Sequence, residues 1–183
     1  LDDNHVIYTP KNREPYTYNT STYLGWLLAL TGESPSHIIK FIKEEVQPRI
    51  WKSLNNYDGF LLITPNMFEV CNQLLETKFI ELFGRRISRD IKTYEELKHA
   101  ITVVPYEKEL CIKFGRGNVL FNGNILEIPM NKNASYASMM AIGYYAIGQI
   151  QKQHYPYFKE NIKEYCKNTA KKSFGKEIKV IVE

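Results

Sequence analysis

The stretch LCIKFGRGNVLFNGNILEI, residues 110–128, decides the fold. Leu110, Ile112 and Phe114 alternate with Cys111 and Lys113, the period of two expected of a strand with one apolar face. Gly115-Arg-Gly-Asn118 reads as a turn and Val119–Phe121 as a second strand. Asn122-Gly123 is the favoured pair for a two-residue type I′ hairpin, because both positions tolerate a positive φ. Ile125–Ile128 returns the chain and Pro129 ends it. The expected unit is a three-stranded antiparallel β-meander.

Immediately downstream, Ala134 to Gln151 carries no charge and is crowded with small residues, among them Ala137, Ala141, Gly143, Ala146 and Gly148. It reads as a buried central helix, capped by Asn131 or Asn133, with the other helices packed around it. Its Ser, Tyr and Gln residues make it too polar for a membrane span, so no membrane partner is expected. Small side chains let another backbone approach closely but leave little apolar area to reward burial, so this helix needs a partner that packs flush. The partner is either Tyr23–Leu30 or Met67–Phe83 of the same chain, or a second molecule meeting Tyr136, Met140, Gly143, Tyr144 and Ile147.

Upstream, residues 1–19 hold Pro10 and Pro15 without a helical period and read as an extended arm, with a short strand at His5–Thr9. Residues 20–183 are expected to form a single α+β domain, which this length can support with a sizeable core. Thr20 or Ser21 starts a helix to about Leu30 that is apolar nearly all round and should therefore be buried. Ser34-Pro35 opens a second helix, which Pro48 must break or kink. Phe60–Ile63 reads as a buried strand, and Thr64-Pro65 opens an amphipathic helix that Gly84 stops. Arg85, Arg86, Arg89 and Lys92 read as loop, Thr93 and Glu96 as a capping box, and Ile101–Val104 as a strand. Pro156 begins a last helix to about Lys172, ended by Gly175 and followed by a strand at Lys176–Val182.

The net charge is +4, and the 32 residues from Lys152 onward carry eight Lys against four Glu, so the rest of the chain is neutral in sum. Lys159, Lys163, Lys167 and Lys171 are spaced by four, a slowly winding ridge that Lys172 extends. Arg85, Arg86 and Arg89 join it if the fold brings them near. Such a ridge suits weak, sequence-independent binding to nucleic acid or another polyanion. The plainer alternative is a solvated face on which Glu160 offsets Lys163 and Glu164 offsets Lys167.

Cys71, Cys111 and Cys166 show no zinc-like spacing and read as reduced thiols of a protein inside a cell or a virus particle. No metal or cofactor is expected. Catalytic patterns are thin: Cys166 and His154 flank Pro156 without a motif, and Glu109, Lys113 and Glu127 loosely match the acidic-plus-Lys grouping of metal-dependent nucleases. The sequence therefore points first to a non-catalytic binding or assembly subunit, acting through a protein partner or self-association. Nucleic-acid binding through the lysine ridge comes second, and a metal-dependent nuclease third.

Overall fold

Gly59–Thr64 (β1) is buried at all six positions. A strand with no solvent face belongs in the interior of a parallel sheet covered on both sides. The computed structural model, which describes residues 19–118 and 121–178, places it there. Three more strands, Ser88–Thr93 (β2), Glu109–Phe114 (β3) and Asn124–Ile128 (β4), complete one sheet in the order β2-β1-β3-β4. Every pairing in it is parallel.

The antiparallel meander is thereby corrected. β3 runs beside β4 in parallel, with Leu110 opposite Asn124 and Phe114 opposite Ile128, and its other neighbour is β1. Alternation at Leu110, Ile112 and Phe114 records which face is buried, and carries no information on the direction of the next strand. Asn122-Gly123 lies in the connection that returns the chain to the amino ends of the strands, not in a hairpin turn. The architecture is accordingly α/β-like, with helices against a parallel sheet, rather than α+β. Two further readings change. Residues expected as loop form the edge strand β2, and Ile101–Val104 is irregular, with Val103 71% and Val104 83% exposed. The arm at 1–18 with its strand, Val119 and Leu120, and the final strand beyond Ile178 lie outside the described residues.

The helices are Asn19–Thr31 (α1), Pro35–Phe41 (α2), Glu69–Phe83 (α3), Tyr94–Leu97 (α4), Tyr136–Gln153 (α5), Tyr157–Glu164 (α6) and Ala170–Phe174 (α7). Pro48 sits in a tight 3₁₀ turn, Gln47–Arg49, that ends the α2 segment. The expected capping box forms: the Glu96 amide donates to Thr93 Oγ1 at 3.2 Å and the Thr93 amide to Glu96 Oε2 at 2.7 Å. One sheet face, with Phe60, Leu62, Leu110, Ile112 and Phe114, packs on Leu75, Phe79 and Phe83 of α3 and Met139, Ile142 and Ile147 of α5. The other face is thinly covered, with Leu61, Ile63 and Cys111 under Leu97, Tyr94, Ile101 and Phe121.

α6 and α7 are joined by a π turn, Tyr165–Thr169. Its cause is legible in the residues beneath it. Ile162, Cys166 and Ala170 are spaced by four and all buried, at 9%, 6% and 0% exposure. A spacing of four drifts about 40° per step round a 3.6-residue helix. A π turn takes in one more residue than an α turn, which returns about 100° of that drift and keeps the seam facing the protein.

Candidate functional site

In an open parallel sheet, ligands favour the crevice at the carboxyl ends of the strands where the chain reverses its order of addition. Here that point lies between β1 and β3, and the chain's own side chains fill it. Gly115 turns with φ +75° so close to Met130 and Pro65 that a Cβ would stand 3.3 Å from Met130 Cγ. Gly117 lies flat on the Tyr94 ring, where a Cβ would come within 2.3 Å, and the Tyr94 hydroxyl donates to the Phe114 carbonyl at 2.8 Å. Burial, with Cys111 and Glu127 nearby, pushes Tyr94 up to about 12, so the hydroxyl keeps the proton it donates.

The helix entrance at this end is also occupied. Glu33 accepts from the amides of Ser135 and Ala137 at 2.9 Å each, from the Ser138 amide at 3.2 Å, and from the Ser138 hydroxyl. The first amides of α5 are thus satisfied by a carboxylate from about a hundred residues away, not by Asn131 or Asn133. Burial raises the Glu33 carboxyl, but the hydrogen bonds from Ser138, Ser135 and Thr31 outweigh it and hold it below its ordinary value.

The acidic-plus-Lys grouping comes apart. Glu109 opens β3 and Lys113 lies four residues on, about 13 Å along the strand. Lys113 pairs with Glu127 across the β3–β4 register and donates to the Gly117 carbonyl at 3.2 Å. Glu109 is pushed up by burial and then by Asp90 on the β2 edge. Among the described residues no group of three or more His, Cys, Asp or Glu is placed to hold a metal ion. Cys166 and His154 serve separate ends. Cys166 faces the core from the π turn, whereas His154 bonds the Leu54 carbonyl at 3.0 Å and stacks edge-on to Phe60 and Phe83.

Of the expected interface on α5, Met140, Gly143 and Ile147 are buried in the chain's own core. A Cβ at Gly143 would stand 2.6 Å from Leu75 Cδ2 of α3. Tyr136 meets Phe68 edge-on at 5.8 Å, and the Tyr144 hydroxyl bonds that of Tyr23 on α1 at 3.0 Å. The flush partners of the small-residue helix are therefore α1 and α3 of the same chain.

α1 itself departs from its sequence reading. The sequence predicts it buried, yet among its described side chains, 20 and 22–31, none is. Leu24 and Leu27 pack on the core, while Gly25, Trp26, Ala29 and Leu30 form an outward stripe, with Trp26 37% and Leu30 52% exposed. Among the described residues this uncharged apolar stripe is open to solvent, and so is the lysine row.

Lys159, Lys163, Lys167, Lys171 and Lys172 are all exposed, and among the described residues none makes an ion pair. The Glu164 partner expected for Lys167 instead takes a hydrogen bond from Asn168. Arg85 and Arg86 are exposed in the turn before β2, but Arg89 is withdrawn to Glu76 of α3 at 3.5 Å.

Among the described residues no helix is long and apolar enough to cross a membrane. No protein-family model matches the chain, and no curated protein matches it. Among solved structures it is similar to the Vibrio vulnificus NanR protein complexed with ManNAc-6P. That likeness has 8% identity and a TM-score of 0.39 over 81% of this chain and 67% of that chain, too slight to carry an argument.

Proposed function

We propose that the chain is a non-catalytic assembly subunit whose α1 stripe takes a second copy of the same chain. The carrying observation is an uncharged helix, apolar nearly all round, left with Trp26 and Leu30 in solvent. A helix of that composition is stable when covered on both sides. Gly25 and Ala29, four apart on the open side, let a neighbouring backbone come close, and a Cβ at Gly25 would meet nothing within 4 Å. Trp26 and Leu30 supply the flanking ridge. The same patch on two copies is self-complementary about a two-fold axis, and its neutrality removes like-charge repulsion. Sedimentation is expected to show a dimer dissociating on the order of micromolar concentration. The Trp26→Glu/Leu30→Glu double variant should be monomeric, with its unfolding free energy within about 1 kcal/mol of the parent because both sites are surface ones. A parent that stays monomeric at high concentration ends this reading.

A second reading, polyanion binding through the lysine row, is favoured by the π turn. In a plain α-helix, Lys159 and Lys171 would diverge by about 120°. The turn that keeps the buried seam straight keeps this row straight too, one residue round the helix. Replacing Lys159, Lys163 and Lys167 by Gln is expected to lower the salt slope of single-stranded DNA binding by about two units. No retention of the parent on DNA or heparin at low salt would count decisively against it.

A further inference from the structure

The carboxyl-terminal half of α5 and the segment entering the sheet enclose a groove of about 310 Å³, at the lower end of the range for small-molecule sites. Tyr145, Gln149 and Lys152 reach it from one side of α5, and Gln47, Trp51 and Lys52 from the facing segment. Its wall is fixed. Gln153 donates from Nε2 to the Trp51 carbonyl at 2.8 Å and accepts the Leu54 amide at 2.9 Å, which spends both ends of its amide on one turn of backbone. His154 bonds the Leu54 carbonyl beside it.

The other polar groups are unspent. Among the described residues, the amides of Gln47 and Gln149, the ammonium groups of Lys52 and Lys152 and the Tyr145 hydroxyl make no hydrogen bond or ion pair. No Asp or Glu lines the groove. The end of α5 brings about half a negative charge, which two full lysine charges exceed. The groove therefore offers a net positive site, an indole and a phenol wall, and two free amides, each with a donor and an acceptor.

We infer that this groove binds a nucleoside monophosphate, its phosphate between Lys52 and Lys152 and its base on Trp51. An amide's paired donor and acceptor match the polar edge of a base, which assigns Gln47 and Gln149 to base contact. A flat base gains more from an indole face than a puckered sugar does, and a single phosphate matches two lysines better than a chain of phosphates would. The inference is independent of the α1 contact, which lies on a different helix.

Calorimetry on the unaltered chain should give a Kd for AMP on the order of 10–100 µM, the efficiency expected for a ligand of that size. The chain has two tryptophans, so Trp26→Phe leaves Trp51 as the sole indole reporter, and its emission should change saturably with the same Kd. Adenosine and inorganic phosphate are each expected to bind at least about tenfold more weakly, since each keeps half of the contacts. Lys52→Gln and Lys152→Gln should each raise the Kd roughly tenfold while the far-ultraviolet circular dichroism stays that of the parent. Three results overturn the inference: no heat and no Trp51 response at millimolar AMP, inorganic phosphate binding as well as AMP, or binding that both lysine variants leave unchanged.

Discussion

Gly143→Leu is expected to cost about 3 kcal/mol or more of folding free energy and to leave little native protein at physiological temperature. The helix α5 crosses α3 with no room between them. An added Cβ would stand 2.6 Å from Leu75 Cδ2 and 3.3 Å from Cδ1. Leu75 cannot swing aside, because it is fully buried in the principal core. Interiors packed at crystal-like density have no voids into which four extra carbons could relax. Gly143→Ala should fall in the ordinary overpacking range of about 1–3 kcal/mol. Urea denaturation measures both, and the two residues should couple. Leu75→Ala combined with Gly143→Leu is expected to lose markedly less than the sum of the single changes, since the small residue vacates the space the large one needs. A Gly143→Leu protein with the parent midpoint would show that α3 and α5 are not in contact.

Glu33→Ala is expected to cost about 2 kcal/mol, the upper part of the range for helix caps. One carboxylate serves three amides and a hydroxyl at the entrance to an 18-residue helix, where the helix dipole favours a negative charge. Because the folded value of Glu33 is depressed, its contribution is present above the unfolded value and lost as pH falls through the lower folded one. His154 acts in the same direction. Burial lowers it, more than its bond to the Leu54 carbonyl and nearby Asp58 raise it, so it folds neutral. As pH falls below its ordinary value of 6.5, the unfolded chain takes up a proton that the folded one resists. Stability should therefore decline first near pH 6 and again in the carboxylate range, the numbers following from the ordinary values of the two groups. In Glu33→Gln the second decline should flatten while the first remains. A Glu33→Gln protein with an unchanged acid limb would remove Glu33 as its cause.

Local patterns in the sequence locate most of the elements, and the tertiary assembly accounts for what they miss. β1, α3 and α5 sit where their apolar periods put them, and the Thr93–Glu96 capping box forms as expected. β2 escaped because Ser88-Arg-Asp-Ile-Lys-Thr93 carries one large apolar residue, which suffices at a sheet edge and resembles a loop in isolation. Strand direction was hidden for a different reason. Side-chain alternation is identical in parallel and antiparallel neighbours, and a persuasive Asn122-Gly123 pair supplied the wrong turn. The α5 cap has no local signature, because the group that supplies it is Glu33, which no local rule connects to Ser135.

The lysine spacing carries geometry as well as charge. Read with Ile162, Cys166 and Ala170, a repeat of four on two adjacent faces is the signature of a helix that must widen by one turn. The groove beside Trp51 had no linear signature, because its two walls come from segments about a hundred residues apart.

The short segment from Glu33 to Leu54 fastens both ends of α5. Its first residue holds the helix entrance, and its last turn is held by Gln153 and His154 at the exit. On the ribosome this segment emerges well before the helix it grips, and its bonds to Ser135, Ala137, Ser138, Gln153 and His154 can form only once that helix is made. A segment made early is thus bound in place late, and β1, lying between the segment and its target, has its apolar face covered by α3 first and by α5 after it. Synthesis proceeds from one end, whereas closure of this strap is a single late event that joins both.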